Sequence, residues 1–503
     1  MNYLEKPMVF LRKFSLLFLF VSTPIWLLAQ ISRQPDYSNA LKAKAILDQA
    51  IDYSGLGSDS LNMVISAKGV MHESGHFSAP EERIDVPETY TLSIFSSIEN
   101  YYIDGQINFR GRNLTRQVYV KQDSIFYRDH FGRGVSREAL IRSIPVYNEI
   151  LALHPALILN EARRSLLSLR YLGKVGAVAL LSFSTNQTSF TLHILPNGQV
   201  KQVSYLASHN YYGDNVHRYD YLDYKPIAGY NLPTRFNEYE FGGLRKDLTF
   251  TYDFAPTLTL PVNQVCPGCS LVPKRKNANI TVKNLGGDLY SVDLNAYNNR
   301  SLFLVAKNGV TVFEAPVSYK AGRDVIEAVN QTTGGKPITQ LMVTHHHPDH
   351  AGGLRAFAEQ GATIITTKGN VKFFSQLVNY PHQLEGRTSD KQLKPSFITV
   401  DSAQTFTTNT EEPFTLYFIG DTQHTNEYLV AYFPKQKILF QGDLCFFQLN
   451  GESAASAREQ AIGRLIERKK LAVERIYSSW PLRGFKEFGT AEDLKRKLEL
   501  ATK

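Results

Sequence analysis

The sequence predicts a multidomain α+β chain: an antiparallel, β-rich N-terminal domain with helices, then a C-terminal domain in which strands alternate with helices. Three observations carry this reading. The chain has 503 residues, more than one hydrophobic core normally serves. Its first half is dominated by short alternating apolar–polar segments bounded by turn residues. A proline-containing stretch from Ala255 to Asn277 separates these from a run of strand–helix–strand patterns.

Taken in order, Lys6, Arg12 and Lys13 precede an apolar run from Phe14 to Leu28, and Ala29 follows as a small residue suited to cleavage. A positive region, a short apolar region and a small-residue exit make a signal peptide, expected over residues 1–29. The run is broken by Ser22, Thr23 and Pro24 and is short for a membrane span. The expected location is therefore periplasmic or secreted, with no stable membrane span after cleavage. An uncleaved anchor is the alternative.

The N-terminal domain is expected over residues 30–260. Tyr37 to Tyr53 reads as a helix, and Asn62 to Met71, Tyr90 to Ser97, Gln117 to Arg128 and Phe190 to Leu195 read as strands. Asn197-Gly198 is a hairpin signal, because both residues tolerate positive φ. It should join Thr191–Leu195 to Val200–Tyr205. Asn231 to Phe241 and Asp247 to Phe254 are the later strands. Arg137 to Leu172 reads as helical, broken by Pro145 and Pro155. The sum is a curved antiparallel sheet packed on helices. Its tyrosines, including Tyr101, Tyr102, Tyr211 and Tyr212, are read as sheet packing.

Residues 261–280 form the expected linker, holding Pro261, Pro267, Pro273, the cluster Lys274-Arg275-Lys276 and Cys266-Pro-Gly-Cys269. A CxxC pair can be redox-active, half a zinc site or a local disulfide. Only Cys445 remains besides, which excludes a four-cysteine zinc site. In an exported protein an oxidised, structural bridge is the simplest reading. The net charge of +8 comes from interleaved signs and points to solubility rather than to a nucleic-acid groove.

The C-terminal domain is expected over residues 281–503. Leu302–Val305 and Val310–Phe313 should form a hairpin around Asn308-Gly309, and Gly322–Gln331 a helix. The apolar strand Ile338–Val343 then delivers Thr344-His345-His346-His347-Pro348-Asp349-His350 at its C-terminal end. Gly352–Gln360 reads as a helix and Ala362–Thr366 as a strand. Strand ends in such a pattern are where α/β folds build sites. Four of the 13 histidines lie between 345 and 350. One residue separates His345 from His347, so an extended turn points both the same way. His424 follows the strand Phe414–Ile419, and Asp443 follows Lys437–Phe440. Imidazoles and carboxylates at successive strand ends make a metal-ligand set rather than a solvated His-rich loop.

On these residues, the chain from about Gly286 to Lys503 resembles the metallo-β-lactamase superfamily. His345-x-His347-x-Asp349-His350 matches its HxHxDH signature. Asn308 to Pro316 resembles the strand before the site, Asp421 to Thr425 the third-histidine turn, and Leu439 to Asp443 the bridging-aspartate strand. The resemblance implies an αββα sandwich with a hydrolytic metal centre at one edge of its sheets. It implies that His345, His347 and His424 hold a first Zn2+ and that Asp349 and His350 serve a second, with Asp443 bridging. Other divalent metals also suit these ligands. Metal-bound hydroxide would be the nucleophile, with Asp349 as the catalytic residue that orients it or takes its proton.

Two departures stand out. The superfamily's last histidine has no counterpart, since none follows His424 and Trp480 stands near its place. Indole cannot ligate zinc in its normal state, so the second subsite is one ligand short, with His346 and His382 as unplaced candidates. Glu314 stands where an aspartate is usual. The expectation is an exported metal-dependent hydrolase acting on an ester, lactone, amide or related small molecule, and not on nucleic acid. The alternative is a degenerate metal site in a non-catalytic periplasmic ligand-binding or lipid-carrier-like protein, which the curved N-terminal sheet loosely resembles.

Overall fold

Alternating side chains along the N-terminal segments give each strand one apolar face, and that face must find a partner. The computed structural model describes residues 37–56, 62–94, 100–109, 112–121, 124–128, 135–139, 144–209, 211–254, 280–385, 392–407, 412–451 and 453–502. The expected signal peptide and the Cys266–Cys269 pair lie outside them. So does the expected linker, apart from Ile280.

The N-terminal strands form one 13-stranded antiparallel sheet. Two meanders compose it, one running from Met63–Ser74 to Val135–Ala139 and the other from Arg170–Val175 to Gly243–Asp253. They join where Met63–Ser74 pairs with Gly243–Asp253, so the first and last strands meet in the middle. Apolar side chains such as Leu92, Phe183, Phe190, Tyr219 and Phe236 share a core with helices Tyr37–Ser54, Ile144–Ala152 and Pro155–Arg164. The Asn197-Gly198 hairpin is present, but only Gly198 takes positive φ (93°). A Cβ there would lie 2.5 Å from the Gln49 carbonyl oxygen, so helix packing adds to the demand for glycine.

Two expectations require correction. Arg137 to Leu172 is not helical throughout: Val135–Ala139 and Arg170–Val175 are strands flanking two helices. Both are sheet edges, where short, charged strands are the rule and alternation is hard to read. Gln117–Arg128 is two strands, Arg112–Lys121 and Ser124–Arg128, which pair with each other.

The C-terminal half holds a seven-stranded and a six-stranded sheet. Leu302, Phe313 and Met342 from the first pack against Phe414, Phe433 and Phe440 from the second. Helices Tyr319–Thr333, Leu354–Glu359 and Val371–Leu377 cover the seven-stranded sheet. Helices Ala457–Lys469 and Ala491–Ala501 cover the six-stranded one. Among the described residues no helix is long and apolar enough to cross a membrane.

Tyr211 belongs to the core of the C-terminal half, not to its own sheet. With Tyr212 it sits between strands Val200–His209 and Gly213–Ile227, packed in tilted and edge-on contacts among Phe373, Tyr380 and Phe241. The Asp214 N–H donates to the Pro381 carbonyl at 2.6 Å. The expectation that these tyrosines serve sheet packing is therefore corrected: they join the two halves.

His154 caps helix Pro155–Arg164. Its Nδ1 accepts from the Ala156 N–H at 3.2 Å, and its Nε2 lies 3.1 Å from the Tyr252 hydroxyl. Protonation would set a second N–H against the Ala156 N–H inside the core. Burial pushes this imidazole from 6.5 down to about 3. The unfolded chain therefore binds the extra proton first, and this contribution to stability is full above about pH 6.5 and lost as pH falls toward 3. Relative to His154→Asn, which keeps a capping acceptor but does not titrate, the wild type should lose about 1.4 kcal/mol per pH unit in that window. Urea titrations across that range check this; parallel pH profiles for the two proteins contradict it.

Candidate metal centre

The Gly309–Phe313 and Ile338–Met342 strands run parallel and end at the same edge of their sheet. The first ends at Glu314 and the second at the Thr344–His350 turn. Glu314 is fully buried with φ of 80°, a strained setting for a side chain and one that clusters at functional sites. It aims its carboxylate at the turn: Oε1 accepts from the Thr344 N–H at 3.1 Å, and Oε2 lies 3.2 Å from His350 Nδ1. The six-stranded sheet closes from the other side. The Leu429 N–H donates to the Thr344 carbonyl at 2.9 Å, and Gly442 delivers Asp443. A Cβ on Gly442 would stand 2.2 Å from the Tyr428 hydroxyl, so only glycine lets this strand end approach so closely.

His345, His347 and His424 each bring a ring nitrogen within 4.8 Å of the others, and His345, His350 and Asp443 do the same. In three of these imidazoles one nitrogen is tied and the other left over. His345 Nδ1 meets the Thr344 hydroxyl at 3.0 Å, and His350 Nδ1 meets Glu314 and the Ser479 hydroxyl at 3.1 Å. His347 Nε2 donates to the Phe77 carbonyl at 2.9 Å, leaving Nδ1. Nε2 of His345 and of His350 is buried without a hydrogen bond, and His424 Nε2 faces Asp443 Oδ2 at 2.9 Å. Asp443 stands 2.9 Å from His424 and 3.7–3.8 Å from His350 and His345.

Buried polar atoms normally find partners, and a metal-ligating histidine normally ties its second nitrogen to a carboxylate, hydroxyl or carbonyl. This donor set fits a divalent metal on both counts. Protonation states agree for His345, His347 and Asp443, whereas His350 must give up a proton to ligate. Burial, reinforced by neighbouring imidazoles, holds His347 at about 2 and His345 well below its ordinary value. Burial disfavours the Asp443 carboxylate, yet His350 and His424 outweigh it and bring the group down to about 2. Burial likewise opposes charge on His350, but Asp349, Glu314 and Asp443 push it well above its ordinary value.

Asp349 is apart from both clusters. Its Oδ2 lies 3.3 Å from His350 Nε2, and its Oδ1 faces His76 at 3.5 Å. Burial opposes its ionisation, and His350 and His76 overcome that, holding it well below the usual carboxylate range. Neither spare histidine joins: His346 packs toward Phe373, and His382 lies under Gly213 beside Tyr319. Trp480 turns its ring to Phe446 and is 37% exposed, so the last strand reaches the centre through Ser479 instead. Sequence reasoning missed Tyr428, Ser479 and the N-terminal pair His76 and Phe77. Tyr428 stacks on His345 with centroids 4.6 Å apart, and its hydroxyl lies 3.0 Å from Asp443 Oδ1. The chain stands some 270 residues from Phe77 to His347, so no local spacing could have signalled that contact.

The arrangement defines a histidine–carboxylate donor set of the kind that holds a divalent metal. Residues 299–480 match the family model described as the metallo-beta-lactamase superfamily. The C-terminal half of the chain belongs to that superfamily. Similar curated proteins include the metallo-beta-lactamase type 2 of Elizabethkingia meningoseptica, 27% identical over 146 residues, which are 29% of this chain and 52% of the relative. Metallo-beta-lactamase IND-1 of Chryseobacterium indologenes is 26% identical over 151 residues, 29% of this chain and 55% of that protein. The chain thus spans about half the length of the curated relatives it matches. Among solved structures, a metallo-beta-lactamase from Pontibacter korlensis aligns with 44% of this chain and 99% of its own at 21% identity and a TM-score of 0.33.

Glu314 orients His350, so Glu314→Gln should weaken metal binding about 10–100-fold. Competition with a chromophoric chelator measures this; unchanged affinity would show that Glu314 only fills space.

Proposed function

We propose that the chain is an exported metal-dependent hydrolase of small carbonyl compounds such as esters, lactones or amides, β-lactams included. The observation that carries this reading is the convergence of His345, His347, His424, His350 and Asp443 with buried ring nitrogens left unbonded. Superfamily membership of the C-terminal half supports the reaction class. The three C-terminal cores, one between the sheets and one under each helical layer, support an αββα sandwich. Division into domains at 30–260 and 281–503, with a linker at 261–280, rests on the proline-containing stretch. Export rests on the charge and hydropathy order of residues 1–29.

In this reading His345, His347 and His424 hold the first ion, and His350, Asp349 and Asp443 serve a second. Zinc, when bound there, lowers the pKa of water toward neutrality and polarises a carbonyl. The chain's own groups do the rest. Asp349 is the only one of these acids with appreciable exposure, 24% against 6% for Asp443. It is therefore placed to meet substrate and to accept a proton at Oδ1 or Oδ2 from the attacking water. Tyr428 and Glu314 keep Asp443 and His350 in position.

Hydrolysis of ester, thioester, lactone and β-lactam panels should vanish on chelation and return with Zn2+. Asp349→Asn should lower kcat/KM about 10²–10⁴-fold, the usual span for a general base. Absence of turnover on every panel by fully metal-loaded protein would sink the enzyme reading and favour a binding protein.

A further inference from the structure

The N-terminal sheet enters the metal centre through one hairpin turn, residues 75–82, between strands Met63–Ser74 and Arg83–Ile94. Two backbone carbonyls seat it. The Phe77 carbonyl accepts from His347 Nε2 at 2.9 Å, and the Asn426 N–H, two residues past His424, donates to the Ser78 carbonyl at 2.8 Å. Within the turn, the Glu82 carboxylate accepts from the Ser78 and Ala79 N–H groups at 2.8 and 3.3 Å, which fixes its shape. Phe77 is buried and His76 beside it is not, its side chain being 59% exposed. His76 lies over the centre, with its ring 5.0 Å from that of His347 and Nε2 3.5 Å from Asp349 Oδ1.

That position coincides with a shortage. The C-terminal half brings Ser479 and Trp480 where a last imidazole is expected, and Ser479 is occupied with His350 Nδ1. Asp349 Oδ1 is buried without a hydrogen bond. Two donors on one tetrahedral zinc, each about 2.0–2.2 Å from it, stand roughly 3.4 Å apart. His350 Nε2 faces Asp349 Oδ2 at 3.3 Å and His76 Nε2 faces Asp349 Oδ1 at 3.5 Å, so each imidazole stands near that spacing from one oxygen of the same carboxylate. We propose that His76 is a metal ligand of the second subsite, supplied by the N-terminal region in place of the histidine that the C-terminal half lacks. The site is then complete only when the two halves are packed together, and the N-terminal sheet is part of the metal centre rather than a scaffold beside it. This rests on the metal-centre reading above.

The test uses the full chain, stripped of metal and titrated with Zn2+ by calorimetry, with bound zinc counted by mass spectrometry after dialysis. Wild-type protein should hold two ions. His76→Ala and His76→Gln should each keep the first ion at wild-type affinity and bind the second at least tenfold more weakly. Glutamine can still donate an N–H toward Asp349 but does not replace an imidazole donor, so its failure separates ligation from positioning. Unchanged thermal melting of the metal-free variants confirms that the exposed substitution leaves the fold intact. Wild-type affinity for the second ion in His76→Ala, or its recovery in His76→Gln, overturns the assignment and leaves the hydrolase reading standing. A wild-type protein that binds one ion also overturns it; one that binds none overturns the metal-centre reading itself.

Discussion

The C-terminal half depends on one constraint: His345, His347 and His350, in a single buried turn, must be uncharged to hold a cation while their nitrogens converge with His424 and Asp443. Burial meets the first demand for His345 and His347, since desolvation disfavours each imidazolium and each neighbour's charge disfavours the next, whereas Asp349, Glu314 and Asp443 push His350 the other way. Burial leaves the second uncompensated, because the inward-facing nitrogens of His345 and His350 have no hydrogen bond. Without a ligand such a cluster is costly. With a divalent cation the same features become the condition for binding, since ligands must be deprotonated. The surrounding structure serves that turn. Glu314 accepts a strained backbone to reach it, Gly442 gives up a side chain to approach it, and Tyr428 stacks on it.

The N-terminal sheet has no separate site of this kind among the described residues, but it is not an independent passenger. Its strand connections grip the C-terminal half at two places. One is the aromatic contact of Tyr211 and Tyr212 with Phe373 and Tyr380. The other is the turn that sets the Phe77 carbonyl on His347. The first is a packing interface. The second decides which nitrogen of His347 faces inward, because the carbonyl can only accept and so fixes the proton on Nε2. Fold energy in the first half is thereby coupled to ligand geometry in the second.

Much of this was legible in the sequence where the signal is local. The Asn197-Gly198 and Asn308-Gly309 hairpins, the helix from Tyr37, and the strand that delivers His345 all follow from short-range spacing and turn chemistry. The HxHxDH string, with His424 and Asp443 at later strand ends, contains the residues that converge, because the two sheets bring these strand ends together, although Asp349 stands apart from both clusters. What escaped was non-local. Indole cannot ligate zinc in its normal state, and the place of Ser479 depends on how the last strand enters. His76 carries no motif, and only the pairing of two distant strands brings its turn to Asp349. Arg137 to Leu172 misled because its flanking strands are short, charged and at sheet edges, where packing decides the conformation.

Anomalous X-ray scattering at the zinc edge, from crystals of the zinc-loaded full chain, tests the central claim most directly. The account predicts a strong peak enclosed by His345, His347 and His424, and a second bounded by His350, Asp443 and the Asp349–His76 pair. A loaded chain with no peak among these residues, or with zinc held elsewhere, would contradict it.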